Sequence, residues 1–244
     1  MRSLVYVACL ISTICFFGGC RVNVLRGEGT QNGTAAQTAL FTRISVEVPM
    51  KVTVTVQPGS ETSYRLTGYD NILAHIKTEV KDSTLHVTCD LGETWTIDGN
   101  SGTTLVVSAS TLEALSLSGA SEAAIHGTLA APHFTLSISG ACCAKIDNLN
   151  VAHFNTDISG AAEVEVNGGT ADTADYEVSG AGKLKTYPLQ CNTVRVSVSG
   201  AGFGQVTALK QLTAEISGTG AVKYKGHPAV TRDVSGVGTI TEDN

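Results

Sequence analysis

The chain has 244 residues, with 16 Lys and Arg against 22 Asp and Glu, and a formal charge of −6. Its basic residues are scattered rather than clustered, which excludes a nucleic-acid surface built on a positive patch. Only 5% of the residues are aromatic and one is a tryptophan, Trp95, which argues against a sugar-binding face lined with stacking rings.

The amino terminus sets the compartment. Met1-Arg2 is followed by an apolar run from Leu4 to Phe17 and then by Gly18-Gly19-Cys20. One positive charge, a short apolar core and small residues before a cysteine make a signal peptide. The run falls short of the roughly 20 residues that a helix needs to cross a bilayer. Phe17-Gly18-Gly19-Cys20 resembles a lipoprotein box, with Phe17 in place of a small aliphatic residue. Residues 1–19 are therefore expected to be removed, leaving Cys20 as the lipid attachment of a 225-residue mature chain of charge −7. Residues 20–39, polar and rich in Gly, Thr, Gln and Asn, read as a lipidated flexible tether. The expected location is the outer membrane, on its periplasmic or its surface side, with the lipid as the membrane contact. In such an oxidising compartment Cys89, Cys142, Cys143 and Cys191 could pair in three ways, among which spacing does not choose. No C-x-x-C motif indicates zinc or thiol redox chemistry.

Residues 40–110 form a non-repetitive start. Ile44–Val48 and Lys51–Val56 alternate apolar and polar residues as half-buried strands, with Pro49 between them and Pro58-Gly59 after. Tyr64–Gly68 reads as a further strand, Asn71–Ile76 as a short helix, and Lys77–Val80 with Thr84–Thr88 as two strands around the turn Lys81-Asp82-Ser83. Leu105–Ser108 leads without a linker into a repetitive region, so these strands are expected to begin one common sheet system.

From residue 111 to 242 the chain repeats. Glycines of Ser-Gly-Ala-like triplets stand at Gly119, Gly140, Gly160, Gly180, Gly200, Gly218 and Gly236, at spacings of 21, 20, 20, 20, 18 and 18. A period near 20 without helical patterning predicts an all-β fold, a right-handed parallel β-helix of stacked coils, none of which can bury its apolar face alone. Two residues before each glycine stand Leu117, Ile138, Ile158, Val178, Val198, Ile216 and Val234; Phe134, Phe154, Val194, Leu212 and Val230 stand six before. These face inward. Ser116, Ser137, Asp157, Glu177, Ser197, Glu215 and Asp233 must then face outward, because side chains alternate along a strand. A second corner is marked by Asn148, Gly168-Gly169, Pro188 and Gly226. The triplet glycine supplies a backbone conformation closed to other residues, and the serines before it are expected to form a hydroxyl ladder.

Tyr69-Asp70-Asn71-Ile72-Leu73 with His75–Val80, Ser179-Gly180-Ala181-Gly182, Ser199-Gly200-Ala201-Gly202 and Tyr224-Lys225-Gly226-His227-Pro228 together resemble the head-GIN domain family of auto-transporter adhesin-like proteins, common as lipoproteins in Bacteroides-like bacteria. The resemblance spans residues 40–242 and departs from the pattern where Ser121, Cys142 and Ala162 replace the second glycine. It implies a β-helical fold and residence at the surface or in the periplasm.

Several constellations could carry chemistry. His133 and His153 are expected to stack outward on adjacent coils, without a third ligand in their column, and read as surface residues rather than a metal site. Asp157, Asp175 and Glu177 share an outward face near Arg195, a group that could take Ca²⁺ but reads first as solvated acid. Lys145, Glu165 and Lys185 form a column of alternating sign. Cys142 and Cys143 read as corner residues rather than a disulfide. No catalytic residue, cofactor or metal is assigned. The expected function is non-catalytic, adhesin-like binding of an envelope or extracellular macromolecule, protein or glycan, through the face carrying His133, His153, Asn155, Asp157, Asp175, Glu177 and Arg195. The alternative is a β-helical polysaccharide lyase or hydrolase, which the near-uniform coil length disfavours because no long loop is available to build a cleft.

Overall fold

A computed structural model describes residues 23–37, 40–92, 95–98 and 101–244. The expected signal peptide, residues 1–19, and the expected lipid attachment at Cys20 lie outside the described residues. The chain enters through β1 (Asn23–Leu25) and β2 (Gln31–Gln37), both within the segment expected to be a tether. These residues are strand because of tertiary pairing: β2 runs antiparallel to β5 (Ser63–Tyr69), from Gln31 opposite Tyr69 to Gln37 opposite Ser63. Between them come β3 (Arg43–Val46) and β4 (Lys51–Val56). A single helical turn, α1 (Asp70–Leu73), precedes the hairpin of β6 (Ile76–Lys81) and β7 (Thr84–Cys89), turned by Asp82 and Ser83 at positive φ. Next are β8 (Trp95–Ile97), which pairs in parallel with β1, and β9 (Thr104–Ala109).

The repeating part comprises β10 (Ala114–Gly119), β11 (Glu122–Gly140), β12 (Cys143–Gly160), β13 (Glu163–Val166), β14 (Gly169–Gly180), β15 (Lys183–Gly200), β16 (Phe203–Gly218), β17 (Ala221–Lys225), β18 (Ala229–Gly236) and β19 (Thr239–Glu242). Every pairing among them is parallel and steps by one coil, giving a solenoid of about 6 turns of ~20 residues. The expected continuity of the first strands with this stack is present, since β3 pairs with β10 and β4 with β11. One outward column can be followed through the parallel strands of the stack: His86, Ser45, Ser116, Ser137, Asp157, Glu177, Ser197, Glu215 and Asp233. At about 4.8 Å per step this column is about 38 Å tall.

Alternation in the sequence becomes a dry interior. Leu117, Ile138, Ile158, Val178, Val198 and Ile216 are all buried. Phe134 and Phe154 stack at 5.8 Å between ring centroids. Ala174 follows in their column, and the Tyr176 ring meets Phe154 edge-on at 5.7 Å. The Tyr176 hydroxyl is fully buried against Thr186 and Cys191 without a well-formed hydrogen bond, and burial pushes its ionisation well above the usual range.

At the last coil Val234 keeps its inward register beside Ile216 but is 41% exposed, because β18 has a neighbour on one side only. Arg232 occupies the inward column there, next to Ala214. It donates to the Tyr224 hydroxyl at 2.8 Å and lies over the Tyr224 ring. A charge turned toward the axis at a sheet edge is a common protection against unwanted strand pairing.

The corners are held by the backbone. Ala161 N donates to Gly140 O at 3.0 Å, Ala181 N to Gly160 O and Ala201 N to Gly180 O at 2.9 Å, and the same bond recurs at Thr219 and Val237. Gly160 and Gly180 have φ of +118° and +104°, and a Cβ on either would lie 2.6–2.7 Å from the carbonyl oxygen of the glycine one coil earlier. The expected serine ladder is not the device used. Ser118 Oγ donates to Val46 O at 3.5 Å, while Ser159, Ser179 and Ser199 project into solvent.

Candidate functional site

The expected binding residues lie on one sheet face, formed by the strand segment that ends at each triplet corner. Parallel register places His133 beside His153, Asn155 beside Asp175, Asp175 beside Arg195, and Asp157 beside Glu177. Alternate residues of a strand share a face, so His153, Asn155 and Asp157 point the same way. All of the expected candidates are exposed. Asn155, Asp157, Asp175, Glu177 and Arg195, with Thr135, line a shallow depression of about 480 Å³ that crosses the coils.

Within this face the partners differ from the simplest reading. Arg195 donates to Glu215 at 2.9 Å, reaching along the axis away from Asp175. It is thereby taken from the acid group beside which the enzyme alternative requires a base. Asp157, Asp175 and Glu177 have no cation within ion-pair distance among the described residues. The two histidines stack with centroids 4.8 Å apart and planes 9° from parallel. Rings meet by their faces, and His153 Nδ1 is 2.7 Å from Thr173 Oγ1, an arrangement that orients the imidazole rather than converging two nitrogens on an ion. No group of three or more metal-ligating side chains converges among the described residues.

The face following the triplet corner behaves differently. Lys145 pairs with Glu165 at 3.7 Å, as the alternating column implies, but Lys185 bonds Glu163 at 2.6 Å, diagonally, rather than Glu165. The Lys185 ammonium holds the Glu163 carboxyl below the ordinary carboxylate value, and Glu163 in turn raises Lys185. This face also carries a depression of about 540 Å³ lined in part by Ala120, Ala141 and Ala144, in which Cys143 is exposed. Cys142 beside it is buried in the space where later coils have glycine, and burial raises its thiol. Cys89, Cys142, Cys143 and Cys191 are all free thiols, in accord with Cys142 and Cys143 as corner residues. Cys191 lies in the core, with its ionisation pushed up to about 12 by desolvation.

Residues 40–228 match the family model described as "Putative auto-transporter adhesin, head GIN domain". Solved structures share the fold. A putative adhesin from Bacteroides fragilis NCTC 9343 is 24% identical with a TM-score of 0.76, the match covering 90% of this chain and 100% of that one. A putative adhesin from Parabacteroides distasonis ATCC 8503 is 21% identical with a TM-score of 0.69, covering 91% and 100%. A second protein of the same organism, named a putative lipid binding protein, is 20% identical with a TM-score of 0.66, covering 91% and 100%. No curated protein matches the chain. With the triplet-cornered solenoid and a model match over most of its length, the chain belongs to the auto-transporter adhesin, head GIN domain family.

Proposed function

We propose that the protein is a non-catalytic, adhesin-like lipoprotein of the cell envelope, anchored through Cys20, which binds a macromolecule through the face carrying His133, His153, Asn155, Asp157, Asp175, Glu177 and Arg195. The observation that supports this most is the contrast between two faces of the same coils. The face after the triplet corner neutralises itself through Lys145–Glu165 and Lys185–Glu163. The face before it leaves Asp157, Asp175 and Glu177 without an ion-pair partner among the described residues, in a shallow depression whose Arg195 is turned to Glu215. Like charges held on adjacent strands are mildly unfavourable for folding and carry their field outward, where an oppositely charged partner gains from it. The bound surface is therefore a basic patch on a protein or an amine-bearing glycan.

The test compares wild type with the double variant Asp157→Asn, Glu177→Gln, both immobilised in folded form and exposed to an envelope extract at low and at physiological salt. The variant should keep the wild-type melting temperature, surface substitutions costing within about 0.5 kcal/mol, and lose the salt-sensitive partner. Equal retention of that partner by both proteins assigns binding to another face.

A further inference from the structure

A lipid on Cys20 is one membrane contact, and the geometry of the first described strand adds a second. Two residues separate Cys20 from Asn23, three steps of the chain with a reach of at most about 11 Å. Asn23 is already fixed: β1 pairs with β8 so that Asn23, Val24 and Leu25 lie beside Trp95, Thr96 and Ile97. The chain just beyond is fixed as well, since Asn71 Nδ2 donates to Arg26 O at 2.8 Å and Glu28 N donates to Asn71 Oδ1 at 3.0 Å. An acyl group on Cys20 therefore cannot lie far from this two-stranded ribbon.

The ribbon has the composition that such a position requires. Ile97 is buried in the body and Leu25 is partly buried, while Trp95 is 47% and Val24 49% exposed, on opposite faces of the ribbon. Beside them Arg26, with most of its side chain in solvent, pairs with Asp98 at 3.9 Å. An indole combines a large apolar body with one N–H donor and favours the headgroup layer of a bilayer, and an arginine can lay its stem on acyl chains with its head among phosphates. Ile97 and Trp95 also border Glu47, Pro49, Cys89 and Leu91, which places the ribbon at the N-terminal end of the stack, away from β18 and β19.

We propose that the β1–β8 ribbon is a membrane-seating element. When Cys20 is acylated, Trp95 and Val24 lie in the headgroup layer of the leaflet that holds the acyl chains, and the solenoid stands with its N-terminal end on the bilayer. The proposal rests on the lipoprotein reading of Cys20. It fixes a distance that the lipid alone does not: the carboxylates from Asp157 onward begin five strand steps, about 24 Å, beyond Glu79 of β6 at the seated end.

Trp95 is the single tryptophan of the chain, so the protein carries its own probe. The full-length acylated protein is reconstituted into phosphatidylcholine vesicles, with or without bromine on the acyl chains, and Cys20→Ser is added to the same vesicles as the unanchored control. Acylated wild type should show indole emission shifted to shorter wavelength, at least twofold protection from acrylamide, and loss of more than half its intensity in brominated vesicles. Cys20→Ser should show none of these. Val24→Asp in the acylated protein should reverse the shift while leaving the far-ultraviolet spectrum and melting temperature of the solenoid unchanged. Vesicle-bound acylated protein whose Trp95 stays open to acrylamide and indifferent to bromine overturns the seating and leaves the anchor standing. If Cys20→Ser partitions with membranes as wild type does, the lipoprotein reading itself falls, and the seating with it.

Discussion

Ile158 and Asp157 are neighbours in the chain with opposite surroundings: Ile158 is fully buried between Ile138 and Val178, while Asp157 is exposed. Ile158→Asp places an unpaired charge in the core at a cost of several kcal/mol, and the expected outcome in thermal unfolding followed by circular dichroism is loss of the cooperative transition. Asp157→Asn should melt as wild type. Similar melting of both variants would reverse the inward and outward assignment of the whole column. The pair Lys185–Glu163 gives a pH signature. The Glu163 carboxyl, held below its ordinary 4.5, stabilises the fold above that value and loses this effect as pH falls through its folded titration. The Lys185 ammonium, held above its ordinary 10.5, contributes below that value and loses its effect as pH rises through the folded one. The melting-temperature difference between wild type and Lys185→Met should therefore be widest across the neutral range, and should close in acid below the carboxylate range and in strong alkali. The pair is largely exposed, so the difference will be small and will shrink with salt.

At the scale of the element, the corner glycine does two things at once: it takes positive φ and lets the preceding coil's carbonyl pass where a side chain would stand. Gly180→Ala must strain the backbone and move Gly160, at a cost of about 1–3 kcal/mol or more, whereas Ala181→Gly, at an exposed position, should change stability little; chemical denaturation of the two variants compares them. This double constraint is why the coils are legible in the sequence. Every corner leaves the same residue at a spacing of 18 to 21 residues, and the alternation around it assigns the faces. The features that are not legible depend on contacts between distant segments. Gln31–Gln37 shows no alternation and looks like linker, and it becomes strand only because β5 offers a free edge. Column arithmetic places Lys185 and Arg195 correctly on their faces. It does not show that Lys185 reaches diagonally to Glu163, or that Arg195 prefers Glu215 to Asp175, because those choices depend on side-chain reach among several acids at similar spacing. Composition gives Trp95 meaning only as a scarce aromatic platform; its place beside Asn23, three positions after Cys20 in the sequence, comes from the β1–β8 pairing.

At the scale of the molecule, the two ends of the stack are finished differently. Antiparallel strands close the N-terminal end, where β2 follows β5 and β6 follows β7. The other end stops at a strand whose backbone could accept another, with Arg232 across its mouth and Asp243 tied to Tyr187 at 2.7 Å. Replacing this charge with an apolar side chain, Arg232→Leu, removes the obstacle to end-on pairing while leaving Val230 and Val234 beside it. Light scattering coupled to size exclusion should show the variant associating with increasing concentration while the wild type elutes unchanged; a variant that elutes as wild type at every concentration would mean that Arg232 does not guard this end.

The uniform register also bears on how such a chain changes over generations. Each coil presents to the next the bonding edge that it received from the one before, glycine beside glycine from Gly119 to Gly236. An in-frame duplication of one coil-length stretch of coding DNA between Gly160 and Gly180 would meet matching edges on both sides, and its deletion would leave a matched seam. Neither event touches the β1–β8 ribbon or Arg232 at the opposite end. With the N-terminal end seated on a bilayer as proposed, the height of a residue on the outer face is tuned by counting copies, while the residues of each copy remain free to diverge on that face.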